Sequence, residues 1–244
     1  MSSSSPSAIS SAFAQPLASA VASANLPPEP WAFQDPVPGA ERLASSRATR
    51  FGGMTRAHCR AELRKRGLPV RPVFRHTQGV ATPLRLEGPL HGARFAVPGD
   101  KLVTGILDCR LALALDDFAA ILARHDVAVV HVDNFYRPGA RLPGSRRFSQ
   151  HAYGLAADIT RLDLNDGRVL DVERDWRGLV GEPPCGPDAH PHEPTVETIA
   201  LRDLVCETAR SGIFHFILTP GFNEAHRNHL HFDLQWKAPG MSVR

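Results

Sequence analysis

The sequence lacks an apolar run that could cross a membrane. A transmembrane helix needs about 18–20 consecutive apolar residues, and no segment of the 244-residue chain approaches that length. We therefore expect no membrane span. Residues 1–30 are rich in Ser, Ala and Pro and contain no Lys or Arg. This segment has neither the basic start nor the firm apolar stretch of a secretory signal. It predicts a disordered tail, with an atypical export signal or a start site assigned in the wrong place as the alternatives.

The sequence also lacks a large excess of charge of one sign. Lys and Arg number 28, against 25 for Asp and Glu, and the formal net charge is +3. No dense Lys or Arg run with interleaved aromatic residues is present. The composition therefore argues against a nucleic-acid partner. A weak positive charge is compatible with an anionic polymer such as a bacterial cell wall.

Cysteine is sparse, and none of the four cysteines forms a CxxC pair. The sequence therefore has no cysteine-type structural zinc motif. An even number of widely spaced cysteines permits two disulfides in an oxidising compartment, and it equally permits four buried thiols. The positions are Cys59, Cys109, Cys185 and Cys206.

Periodic apolar patterns begin only after about residue 50. Residues 1–50 predict a disordered tail, because they carry too few such patterns to pack alone. Residues 51–244 predict one domain. Strands joined by hairpins, with helices between them, predict an α+β fold with a small, mostly antiparallel sheet and flanking helices. Helices are predicted over 59–66, 110–124 and 195–211, and strands over 127–132, 156–164, 168–172, 214–218 and 229–236.

The first of two polar clusters runs from Ser149 to Asp158. Six residues separate His151 from Asp158, and on one helix the two side chains would lie about 10 Å apart along the axis. They can converge if His151 precedes a bend and Asp158 lies on the strand that follows. Gly154 supplies the bend, because glycine tolerates backbone angles that other residues resist.

The second polar cluster runs from His226 to Trp236. Side chains alternate between the two faces of a strand. His229, His231 and Asp233 are therefore expected on one face, with the intervening apolar residues on the other. The pattern predicts a polar, metal-capable face backed by a core-facing one.

Two imidazoles and one carboxylate, with a fourth position open, are a ligand set that catalytic zinc sites use. Manganese or iron would accept the same donors. A second His-x-His pair, His190-Pro-His192, lies among prolines. Strand alternation is not assured there, so we do not expect this pair to bind metal.

At these clusters the sequence resembles the LAS metallopeptidases, which include D-Ala-D-Ala carboxypeptidases, D-Ala-D-Ala dipeptidases and penicillin-insensitive murein endopeptidases. The SxHxxGxAxD signature of the dipeptidase branch is met from Ser149 to Asp158. The HxxHxH ending of the endopeptidase branch is met from His226 to His231.

The resemblance is closer to the bacterial family named for an extensin-like C-terminal domain, over roughly residues 55–236. Shared features are a Cys-containing helix at 109–122, an Asp-Gly hairpin at 166–167 and a closing segment at 218–231. The chain departs from that family at Phe135-Tyr136-Arg137 and at Gly79-Val80, where a cysteine is usual. The family's usual disulfide scheme therefore does not carry over.

The resemblance implies a hedgehog/DD-peptidase-like fold and a Zn²⁺ ion held by His151, Asp158 and His231. It implies zinc-dependent hydrolysis of peptidoglycan peptide bonds, of DD-carboxypeptidase or endopeptidase type, in the periplasm or cell envelope. The remaining site residues it implies are His229 as the catalytic base, His226 in support, Arg137 in catalysis and substrate binding, and Tyr136 and Ser149 as substrate contacts.

Two alternatives stay open. Hedgehog domains use this fold without hydrolysis, so the chain could be a non-catalytic zinc module that binds cell wall or protein. Arg137 could equally be a solvated loop arginine, because the residues after it form a loop rich in Arg, Pro and Gly.

Overall fold

The computed structural model describes Met1 and residues 32–39, 42–99 and 103–244. Most of the tail predicted over residues 1–50 lies outside these described residues. Strands and helices are numbered here in chain order. The strands are β1 (Val70–Pro72), β2 (Pro83–Leu86), β3 (Arg94–Ala96), β4 (Leu107–Asp108), β5 (Val127–Asn134), β6 (Ala156–Leu164), β7 (Val169–Asp171), β8 (Phe216–Leu218), β9 (Leu230–Asp233) and β10 (Ser242–Val243). The helices are α1 (Arg47–Gly52), α2 (Arg56–Arg66), α3 (Cys109–Arg124), α4 (Val172–Asp175) and α5 (Val196–Ser211).

A central sheet has the strand order β10-β8-β9-β6-β5-β3, with β7 paired to β6. The two outermost pairings, β10 with β8 and β3 with β5, are parallel, and the pairings between the inner strands are antiparallel. A smaller antiparallel sheet has the order β1-β2-β4. The architecture confirms the predicted α+β class with a mostly antiparallel sheet.

Helix α3 forms the centre of the core. Asp108 caps its first turn by accepting a hydrogen bond from the backbone N–H of Arg110. Apolar residues at helical spacing then bury against the sheet. The Phe118 ring lies 5.9 Å from the Phe214 ring and 5.3 Å from the Phe232 ring, measured between centroids. The apolar face of β9 is thereby fixed against a helix, and its polar face is left for the site.

The predicted elements are found, with corrections at the ends of several. The strand predicted over 214–218 begins only at Phe216. The strand predicted over 168–172 ends at Asp171, because the Asp171 side chain accepts from the Arg174 N–H and so begins α4. The strand predicted over 229–236 is only β9. His229 lies before it, because its backbone N–H closes a turn onto the His226 carbonyl.

The boundary predicted between residues 50 and 51 falls inside α1. Ala48 and Phe51, on either side of it, are both buried in the main core. Further upstream, Phe33 packs with Ile199 and Cys206. The described part of the segment before residue 51 therefore packs on the domain.

Two disulfides join the four cysteines. Cys59 on α2 is bonded to Cys109 at the start of α3, and Cys185 is bonded to Cys206 on α5. Of the two possibilities open from sequence, the structure has the disulfides. Within the described residues, the helices are all too short or too polar to cross a bilayer.

Candidate metal centre

A tight turn places the first histidine of the site. Residues Gln150–Tyr153 form a 3-10 turn, and the Ser149 side chain caps it by accepting from the His151 N–H. Gly154 ends the turn with φ of 62°, and a Cβ there would lie 3.0 Å from the Asp108 backbone nitrogen. The backbone angle therefore favours glycine, and the tight space disfavours a larger residue. The bend predicted at Gly154 is confirmed.

Strand pairing places the other two residues. Strands β6 and β9 are antiparallel, and Asp158 is the register partner of His231. Side chains of directly opposed residues lie on the same face of a sheet. Leu230 and Phe232, which point the other way, are buried in the core. The alternation predicted for β9 is confirmed from Leu230 onward.

The turn and the two strands bring His151, Asp158 and His231 together as a buried group that could hold a metal ion. His151 Nε2 lies 3.0 Å from Asp158 Oδ1 and 3.2 Å from His231 Nδ1, and His231 Nδ1 lies 2.8 Å from Asp158 Oδ1. Ligands of a tetrahedral zinc ion sit about 3.3–3.5 Å from one another, since each is about 2.0–2.2 Å from the metal. The donor atoms are therefore close to the spacing that a bound metal requires.

Hydrogen bonds on the far side of each ring orient both histidines for a metal. His151 Nδ1 lies 3.2 Å from the Phe135 carbonyl oxygen, and His231 Nε2 lies 3.4 Å from Asp233 Oδ2. Those oxygens can only accept, so these ring nitrogens donate. The lone pairs of His151 Nε2 and His231 Nδ1 then face the Asp158 carboxylate. Such outer partners fix ring orientation in metal sites. Three acceptors that face one another need a cation or a proton between them.

The electrostatics of the group agree with this requirement. Burial lowers the pKa of His151. Burial acts to raise the pKa of Asp158, but its close contacts with the two histidines hold it well below its ordinary value. Burial also acts to lower the pKa of His231, but its bonds to Asp158 and Asp233 outweigh this and raise it to about 9. A proton on His231 thus balances the buried carboxylate, and a metal ion would take its place.

Two further histidines lie at the rim of the site. His229 Nε2 lies 3.7 Å from Asp158 Oδ1, while its Nδ1 lies 2.9 Å from Asn228 Oδ1. His226 Nδ1 lies 2.7 Å from Asn223 Oδ1. In each ring the Nδ1–H donates to an Asn oxygen, which leaves Nε2 free to accept a proton. Burial lowers the pKa of His229, and burial with neighbouring histidines lowers that of His226 to about 4. Both rings are therefore neutral near pH 7.

A cleft of about 970 Å³ lies over the metal-capable group. Its lining includes Asp158, His226, His229 and His231. Arg137 also lines it, with half of its side chain exposed and a guanidinium nitrogen 3.9 Å from Asp158 Oδ2. The cleft opens onto the Asp158 and His231 side of the metal-capable group.

Two of the predicted substrate contacts have other roles in the structure. Ser149 lines the cleft but is buried, and its hydroxyl caps the turn that carries His151. Tyr136 is 2% exposed, packs with Val80 and Ile106, and donates its hydroxyl to the Gln78 carbonyl. Tyr136 does not line the cleft, and its side chain is part of the packing.

Sequence reasoning assigned no role to three polar residues that support the site. Asn134 donates to Asp158 Oδ2 at 3.2 Å, and Asp233 accepts from His231. Gln235 donates in turn to Asp233 at 3.4 Å. Alternation placed Asp233 on the correct face. Asn134 had no comparable signal, because it is on β5 and meets Asp158 only through the pairing of β5 with β6.

Comparison with known proteins places the site inside one family domain. A family model described as the extensin-like protein C-terminus matches residues 57–243. This range includes all the metal-capable and rim residues described above. None of the curated proteins searched matches the chain.

Proposed function

Because the chain belongs to the extensin-like protein C-terminus family, we propose on that premise that it is a zinc metallopeptidase acting on peptide bonds of bacterial peptidoglycan. The observation that carries the proposal is the buried group His151, Asp158 and His231, of which Asp158 and His231 line an open cleft. Three protein ligands with one open position are typical of catalytic zinc, whereas structural zinc takes four. The resemblance of both motifs to the LAS metallopeptidases supports the same reading.

A zinc ion held by these three residues would supply Lewis-acid chemistry, polarising the scissile carbonyl and lowering the pKa of water to about 7. His151 and His231 would bind through Nε2 and Nδ1, the nitrogens that already face Asp158. Phe135 and Asp233 would keep the two rings in that orientation.

His229 is the proposed general base. Its Nε2 faces the site, its Nδ1 is bound to Asn228, and its lowered pKa keeps the ring neutral near pH 7. A neutral imidazole at this position can accept the proton of the attacking water and pass it to the leaving amine. His226 supports it, because the two rings lie 5.0 Å apart between centroids.

Arg137 is the proposed electrostatic partner of the substrate. Its side chain is half exposed and reaches the cleft beside Asp158. Its backbone N–H donates to the His151 carbonyl at 3.0 Å, which ties its position to the turn that carries a metal ligand. A guanidinium placed there would bind substrate oxygen and stabilise negative charge that develops near the scissile bond.

We also propose that the protein works in the periplasm or elsewhere in the cell envelope. Both cysteine pairs are disulfide-bonded. Disulfides persist in oxidising compartments and are rare in the cytosol. The proposed substrate lies in the same compartment.

The test compares wild-type protein with His229→Ala on purified peptidoglycan fragments, with products followed by mass spectrometry. We expect kcat/KM to fall about 10²–10⁴-fold in the variant, the range for a general base. Zinc content should stay near one ion per chain, because His229 is outside the ligand group. His76→Ala is the matched control, since His76 is exposed and does not line the cleft.

Equal turnover by wild type and His229→Ala would remove His229 from the mechanism. Wild-type protein that holds zinc but hydrolyses no fragment would instead favour the non-catalytic zinc module. That module would still bind wall fragments, and its binding would be unchanged in His229→Ala.

A further inference from the structure

A short ribbon lines one side of the cleft. Residues 140–149 fold back on themselves, with the Leu142 N–H donating to the Arg147 carbonyl and the Ser149 N–H donating to the Ala140 carbonyl. Arg141 and Phe148 form a bridge across it. We call residues 140–149 the arginine ribbon. Because Ser149 also caps the turn of His151, the ribbon is fixed to the metal-capable site.

The ribbon places two cations on the cleft wall. Arg141 and Arg147 both line the cleft, and both are exposed. The Arg141 guanidinium lies 4.4 Å from the centre of the Phe148 ring and donates to the Arg146 carbonyl. These contacts hold the cation in place without neutralising it.

The carboxylates of the cleft are engaged elsewhere. Asp158 contacts the two ligand histidines, Asp233 contacts His231, and Asp133 accepts from the Asn134 amide at 2.8 Å. Among the described residues, no carboxylate lies within ion-pair distance of Arg141 or Arg147. Their charge is available to a ligand in the cleft.

We infer that the arginine ribbon is an anion subsite, in which Arg141 and Arg147 bind a side-chain carboxylate of the peptide. This inference rests on the proposed function, and it adds that the substrate is an acidic peptide. The planar guanidinium matches a carboxylate through two parallel hydrogen bonds. Because backbone hydrogen bonds already fix the ribbon, its backbone loses little conformational entropy when the ligand binds. Arg137, which lies beside Asp158, remains available to bind substrate oxygen near the scissile bond.

The test measures equilibrium binding to protein stripped of metal by a chelator, so that hydrolysis does not enter the readout. The two probes are hexapeptides with blocked termini in which Ala alternates with three Glu or with three Gln. Titration calorimetry of wild-type protein should show the Glu peptide binding about fivefold or more tightly than the Gln peptide at low salt, because exposed ion pairs contribute modestly each.

The double variant Arg141→Gln/Arg147→Gln should bring the ratio of the two affinities close to one. The matched control is Arg60→Gln/Arg64→Gln, which removes the same charge from exposed positions of α2. It should keep the wild-type ratio. A second variant, Arg141→Lys/Arg147→Lys, keeps the charge but loses the two-pronged geometry, so it should give an intermediate ratio.

The inference is overturned if wild-type protein does not prefer the Glu peptide, or if the ribbon variant and the α2 control lose the preference equally. If the ribbon prefers the Glu peptide but wild-type protein hydrolyses no peptidoglycan fragment, only the proposed function is contradicted. If wild-type protein hydrolyses fragments but does not prefer the Glu peptide, only the anion subsite is contradicted. A thermal unfolding scan of each variant separates lost binding from lost folding.

Discussion

The pairs His190–His192 and His229–His231 share the same His-x-His spacing and differ in their surroundings. His231 lies on β9, between β6 and β8 of the central sheet, and is 8% exposed. His192 lies in a loop without regular structure, exposed, with its Nε2 3.1 Å from Glu182. The residue between the two histidines is buried Leu230 in one pair and half-buried Pro191 in the other.

The difference shows that a His-x-His spacing forms a metal-capable site where regular structure fixes the direction of its side chains. In β9, hydrogen bonding to two neighbouring strands fixes which side chains share a face, so Asp158 arrives beside His231 from another strand. In the loop, no strand pairing fixes the direction of either imidazole ring. The side-chain partner of His192 is Glu182, in an exposed contact. Four predictions test or refine this contrast, taken from the largest expected effect to the smallest.

The largest expected effect is loss of metal in His231→Ala. The variant keeps only two of the three donors and leaves the buried Asp158 without its main partner. We expect zinc to fall from about one ion per chain to near zero, because a catalytic site needs three protein ligands. Elemental analysis of purified protein measures this.

His192→Ala is the control for that experiment, and it should keep the full zinc content. Equal loss of zinc from both variants would mean that the two histidine pairs do not differ in the way described. Wild-type protein without zinc, even after zinc is supplied, would contradict the metal site itself.

The residue between the histidines should distinguish the two pairs in stability. Leu230→Ala removes a side chain that is 1% exposed in the main core, and we expect it to lower the free energy of unfolding by about 2–5 kcal/mol. Pro191→Ala alters a half-buried loop residue and should change it by less than about 1 kcal/mol. Urea denaturation checks both. A similar change in the free energy of unfolding for the two variants would show that β9 is no better packed than the loop.

The disulfide near the loop should affect stability without affecting metal binding. Cys185 and Cys206 are 21 residues apart in sequence, and a crosslink of that span contributes about 3 kcal/mol in the chain-entropy model. Cys185→Ala/Cys206→Ala should therefore lower the free energy of unfolding by about this amount. Zinc content should not change, because the metal-capable group lies on β6, β9 and the turn before β6. Loss of zinc in this variant would show that the loop supports the metal site.

Much of the fold and of the site could be predicted from sequence because the signals were local. Helix α3 follows from apolar residues four or fewer positions apart, and the bend before β6 follows from Gly154. The strand alternation placed His231 on the face of β9 opposite to that of Leu230 and Phe232. Each of these depends on residues that are neighbours along the chain.

The parts that could not be predicted depend on long-range pairing. Asn134 reaches Asp158 only because β5 and β6 pair in one particular register. The cysteine partners were open because connectivity depends on how α2 packs beside α3. The resemblance implied Tyr136 as a substrate contact, whereas its side chain packs with Val80 and Ile106.

The smallest expected effect comes from the carboxylate behind the ligand histidine. Asp233→Asn replaces the charged acceptor of His231 Nε2 with a neutral amide of the same shape. A neutral acceptor makes the imidazole a poorer ligand, and loss of such an outer partner costs about 10–100-fold in metal affinity. Competition with a chromophoric chelator measures the zinc Kd. Glu182→Gln makes the same change behind His192 and should leave that Kd unchanged. If the two variants bind zinc equally well, Asp233 does not tune His231, and its hydrogen bond only holds the ring.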